Sequence, residues 1–149
     1  MKKYLFLAIV TIAFCIPSWG QISKRAAVQN ETLAEARFGL RSVVKYVIDG
    51  ENYFILSMVT SNRFDDPMCL LLGTTMEQAV KTMDDLIAMY DDTQEGVIVE
   101  ITDGMGVTFS CCYQKLAGER NLMFSADGFA GEAWVALREM KNLQKKMQR

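Results

Sequence analysis

Apolar and polar positions alternate most clearly between Leu40 and Thr60, LRSVVKYVIDGENYFILSMVT. Two β-branched and aromatic runs flank Asp49-Gly50, which predicts a β-hairpin. A three-residue loop of Ile48, Asp49 and Gly50, with Gly50 left-handed, pairs Val44 with Phe54 and Ser42 with Leu56. In that register Leu40, Val44, Tyr46 and Ile48 join Phe54, Leu56 and Met58 on the core face. Arg41 and Lys45 then fall with Tyr53, Ile55, Ser57 and Val59 on the other face.

The rest of the chain follows the same periodicities. Residues 22–37 (ISKRAAVQNETLAEAR) are rich in Ala, Glu and Gln with a weak apolar stripe. They read as a partial helix capped at Asn30 or a mobile leader. Met68–Gly73 (MCLLLG) is a continuous apolar run, a third strand buried on both faces. Thr74 and Glu77 make a capping box. The helix behind it carries Met76, Ala79, Val80, Met83, Leu86, Ile87 and Tyr90 at helical spacing and stops at Asp91-Asp92, whose charges oppose its dipole. Val97–Thr102 is a strand and Asp103–Gly106 a turn. Val107–Gln114 alternates, with Val107, Phe109, Cys111 and Tyr113 inward. Asn121–Ser125 is a sixth strand, and a Gly-rich junction at 127–131 leads to a last helix with Ala133, Leu137 and Met140 on its core face. The predicted class is α+β, an antiparallel sheet of about six strands with two helices on one face, order βββα-βββα. LLLGTTMEQAVKTMDDL and LMFSADGFAGEAWVALREM share an outline, which suggests a pseudo-repeat.

The N-terminus changes the picture of where the chain works. Lys2 and Lys3 precede an apolar run, Tyr4–Ile16, and Pro17-Ser18-Trp19-Gly20 ends it with small residues before Gln21. This is the pattern of a signal peptide over residues 1–20, cleaved before Gln21. Phe14, at a position where lipoprotein processing needs a small residue, argues against lipidation of Cys15. Residues 21–37 are then a leader and 38–149 a single domain in the periplasm or outside the cell, with no integral membrane span in the mature chain. The net charge is −2. Loss of Lys2 and Lys3, with no acids lost, makes it −4, which argues against nucleic acid or an anionic membrane as partner.

Candidate chemistry is sparse. The chain has no histidine, which removes Ser-His and Cys-His nucleophilic sites and His-based metal sites. Cys111 and Cys112 point to opposite faces of a strand. A Cys69–Cys111 or Cys69–Cys112 bridge across neighbouring strands stays open. Asp65-Asp66, Asp84-Asp85 and Asp91-Asp92 lack calcium-loop spacing, and nothing brings Glu100 or Asp103 into a carboxylate pair. The turn at 127–131 lacks phosphate-loop spacing. No catalytic, cofactor-binding or metal-binding residue is assigned, and no cofactor.

The leader ending Ser18-Trp19-Gly20-Gln21, with the strand–helix outline after it, resembles small uncharacterised exported proteins of Bacteroidetes-type bacteria. That resemblance brings no activity and no site residue. The reading is a non-enzymatic binding or assembly module, its partner another envelope or extracellular protein or a second copy. The expected contact face is Tyr53, Ile55, Val59, Arg41 and Lys45, apolar with a polar rim. The alternatives are a His-free hydrolase or thiol protein using Asp, Glu or Cys, and a carrier of a small apolar ligand held against the Met-rich helix.

Overall fold

The computed structural model describes residues 28–62, 64 and 66–149. The expected signal peptide and the leader before Val28 lie outside the described residues. Two antiparallel four-stranded sheets and two helices make an α+β structure. The first half is β1 (Gln29–Ala36), β2 (Arg41–Ile48), β3 (Glu51–Met58), β4 (Met68–Gly73) and α1 (Met76–Asp92). The second is β5 (Ile98–Thr102), β6 (Thr108–Leu116), β7 (Glu119–Ala126), β8 (Ala133–Ala136) and α2 (Leu137–Met147). Strands in each sheet lie in sequence order.

The repeat is therefore ββββα twice, in two sheets, and not βββα twice in one six-stranded sheet. Each half holds a strand that periodicity had placed elsewhere. QNETLAEA has helix-favouring composition, yet β1 pairs along β2 with a bulge at Leu33 and buries Ala34 and Ala36. Tertiary pairing overrides a weak local preference there. Ala133–Ala136, expected in the last helix, is β8, which turns Ala133 and Val135 into the core. The counterpart of β4 is thus β8, not the β7 segment.

The first hairpin also closes differently. Asp49 (φ 54°) and Gly50 (φ 86°) are both left-handed, and Ile48 faces Glu51 across a two-residue loop. This turn follows the right-handed strand twist, and Asp tolerates the left-handed region. The register shifts accordingly: Val43, not Val44, joins Phe54, Leu56 and Met58 in the core, and Lys45 lies opposite Phe54. The second hairpin repeats the device at Ala117 (φ 50°) and Gly118 (φ 83°).

Helix α1 is capped one residue later than the Thr74–Glu77 spacing suggests. Thr75 accepts the Gln78 amide at 3.2 Å, and the Gln78 side chain reaches back to the Thr74 amide at 3.0 Å. Its buried residues, Ala79, Met83, Leu86 and Tyr90, recur at the same intervals of four, three and four as Ala136, Met140, Leu143 and Met147. Apart from Ala136, both sets belong with the inner faces of both sheets to one apolar cluster. At the end of α1, Arg120 donates to the Tyr90 carbonyl and pairs with Asp91, offsetting the acid that opposes the dipole.

Two charged side chains each reach the backbone of an edge strand in the other half. Leu56 faces Leu70 and Phe124 faces Ala133 at matching places after their hairpin turns, so Leu71 of β4 and Trp134 of β8 are counterparts. The Leu71 amide donates to Asp103 Oδ2 at 3.0 Å. The Trp134 carbonyl accepts from Arg41 Nε at 3.0 Å and Nη2 at 2.6 Å. Arg41 Nη1 also donates to the Leu40 and Val59 carbonyls, at 2.7 and 2.8 Å. Burial lowers the Arg41 pKa, opposed by the nearby Glu139 charge. Beside this junction Ser61 N donates to the Glu132 carbonyl at 2.8 Å, and a Cβ on Gly131 would meet the Asn62 nitrogen at 2.8 Å.

Arg41→Met leaves the Trp134 and Val59 carbonyls without their charged donor, so urea unfolding should show a loss of about 2–3 kcal/mol. Gly131→Ala should cost about 1–3 kcal/mol by overpacking against backbone. A change below about 0.5 kcal/mol in both would mean that this junction does not hold the halves together.

Candidate functional site

The five residues expected to form one contact face do not share one. Tyr53 and Ile55 lie on the sheet face away from the core, half-buried beside Tyr46 and Val44. Tyr53 donates to Glu51 Oε2 at 2.9 Å, which raises its pKa. Lys45 projects from the opposite face, with Phe54. Arg41 is only 5% exposed and spends its guanidinium on backbone carbonyls. Val59 lies past the end of β3, in a groove with Leu40 and Trp134. The two-residue turn separates the set, because a shift of one residue exchanges the faces of β2.

Among the described residues Cys69, Cys111 and Cys112 are free thiols. Cys69 belongs to the first sheet and Cys111 and Cys112 to the second, so the imagined bridge between neighbouring strands has no such strands to cross. Cys69 is half-buried, and desolvation raises its pKa against a smaller lowering by Ser57. Cys111 is fully buried, and burial pushes its thiol up to about 12. Cys112, expected on the outward face, is also buried. A thiol held protonated is a poor nucleophile and metal ligand. Among the described residues no three Cys, Asp or Glu side chains are placed to hold a metal ion.

The acids serve structure as well. Asp103 Oδ1 accepts the Met105 and Val107 amides at 2.9 and 3.0 Å while Oδ2 holds Leu71. Asp84 Oδ1 accepts from Gln144 at 2.6 Å. Among the described residues no helix is long and apolar enough to cross a membrane.

The two halves differ where a helix faces the outer strand of a sheet. In the first sheet, α2 lies against β1, and Lys146 Nζ donates to the Glu35 carbonyl at 2.8 Å. The remaining cleft is polar, lined by Arg37, Arg138, Glu139, Asn142 and Lys146. Arg37 Nε pairs with Glu139 Oε1 there at 3.0 Å. By the matched helix spacing, Thr82, Asp85 and Met89 of α1 are the counterparts of Glu139, Asn142 and Lys146.

In the second sheet those counterparts line an apolar cavity of about 340 Å³ between α1, β4 and β5. Leu70 and Leu71 of β4, Leu86 and Met89 of α1, and Val99 and Ile101 of β5 form its walls. Val99 and Ile101 stand on the core face, opposite Cys111 and Phe109. Thr82 turns its hydroxyl away, donating to the Leu72 carbonyl at 2.7 Å. The volume lies in the range of small-ligand sites, and the walls are of the kind that bind apolar groups. Periodicity placed Val99 and Ile101 on a strand but gave no reason to bring α1 beside it. The one legible signal was Met89, an apolar residue beside the stripe expected to face the core.

Comparison with family models, curated proteins and solved structures finds no match. The cavity is read from its own geometry.

The raised Cys111 thiol has a consequence for stability. In the unfolded chain it ionises near its ordinary value of 9.0, and in the folded protein only near 12. The folded state thus holds a proton that the unfolded state has lost, and stability falls as pH rises through that window. The expected slope from this group is about 1.4 kcal/mol per pH unit. Urea midpoints across the window should shed that component in Cys111→Ala, and an unchanged slope would refute it.

Proposed function

We propose that this chain is an exported, non-enzymatic binding module that holds an apolar group in the cavity between α1, β4 and β5. The observation that carries this reading is the difference between the two halves. The same helix positions line a polar cleft of about 470 Å³ at one sheet edge and an apolar hollow of about 340 Å³ at the other. An apolar hollow that opens to solvent gains when an apolar group displaces its water. The leader pattern, Lys2-Lys3 and an apolar run ending before Gln21, supports export. The raised thiols of Cys69 and Cys111 favour binding over thiol chemistry.

The test is titration of the full chain with the neutral apolar dye N-phenyl-1-naphthylamine. Saturable fluorescence enhancement at one dye per chain is expected. Ile101→Trp and Val99→Phe put bulk into the cavity and should weaken binding by about tenfold or more. Their thermal midpoints should hold or rise, since they fill empty space. Dye binding undiminished in both folded variants would refute the reading.

A further inference from the structure

The cavity mouth has a charge pattern that its apolar walls do not require. Of the residues that line it, Asp85 and Asp103 are ionisable, and both are acids. Asp103 accepts three backbone amides, at 2.9 to 3.0 Å, and among the described residues no cation is paired to it. Those amides fix the carboxylate in place at the mouth and partly offset its charge. Asp85 is exposed on α1 and, among the described residues, makes no hydrogen bond or ion pair. The matching cleft of the first half is the internal comparison. There Arg37, Arg138 and Lys146 stand against Glu35 and Glu139, and Asn142 occupies the position of Asp85. That cleft carries three bases against two acids, whereas the cavity carries two acids and no base.

We infer that the cavity takes an apolar ligand bearing one cationic group, an amine or a guanidinium. This rests on the binding reading above. The apolar body lies against Leu70, Leu86, Met89, Val99 and Ile101, and the cation sits at the mouth between Asp85 and Asp103. Lining carboxylates attract a cation and repel an anion of the same shape, so the mouth selects among ligands that the walls accept equally. Such an ion pair at a solvent-facing mouth adds modest affinity and weakens with salt.

Three probes of one chain length separate the contributions: octylamine, octanol and octanoate, each displacing N-phenyl-1-naphthylamine from the full chain. At low salt and neutral pH octylamine should bind about threefold to tenfold more tightly than octanol, with octanoate weakest. The preference for the amine should shrink to within about twofold in Asp85→Asn and in roughly 0.5 M salt, while octanol binding stays unchanged. Equal binding of amine and alcohol, tighter binding of octanoate, or an amine preference that survives Asp85→Asn overturns the inference and leaves the apolar site standing. Failure of all three probes to displace the dye, with dye binding undiminished in Ile101→Trp, removes the site and the inference together.

Discussion

Every larger feature of this molecule depends on how two edge strands are terminated. β4 and β8 are each the last strand of a sheet, with a row of backbone groups that has no further strand to meet. Each is closed by one charged side chain from the other half, at equivalent residues. Asp103 receives the Leu71 amide, and Arg41 covers the Trp134 carbonyl. The signs are matched to the groups, an acceptor for N–H and a donor for C=O, and charge-assisted bonds are the stronger kind. The cap also fixes which face each half turns toward the other, and thereby the single core that both helices share.

The cavity is a by-product of that arrangement in one half only. Both helices lie near the outer strand of a sheet, but the residues they present differ. Lys146 reaches the β1 backbone across the space that its counterpart Met89 leaves as an apolar wall. A pair of near-equivalent interfaces within one chain lets one serve as scaffold while the other is free to diverge. Tyr90 and Arg120 join the end of α1 to the second sheet. The Tyr90 hydroxyl donates to the Val135 carbonyl at 2.8 Å, and its ring meets Tyr113 edge-on with Arg120 above the latter.

Much of the fold was legible because local and tertiary preferences agree there. The run MCLLLG, the stripe Ala79-Met83-Leu86-Tyr90 and the inward set Phe109-Cys111-Tyr113 all take their expected structure. The misreadings fall where partners decide. QNETLAEA would favour a helix alone and is a strand because β2 is beside it. AWVA is too short to show a period, and its strand identity comes from β7. The choice between a two-residue and a three-residue turn at Asp49 moved Arg41 and Lys45 across the sheet, and with them the expected contact face. The candidate site was less legible still. Its walls come from three elements whose neighbourhood is set by the junctions at Leu71 and Trp134, and no pattern within any one of them points to the others.

The contact of α2 with β1 joins opposite ends of the chain: Lys146 and Glu35 are 111 positions apart. Contacts of such separation form late, because the loop they close is nearly the whole chain. During synthesis the edge of the first sheet lacks its covering helix until Leu137–Met147 has emerged. A polypeptide built this way leaves one edge of its first sheet uncovered until its second helix is made.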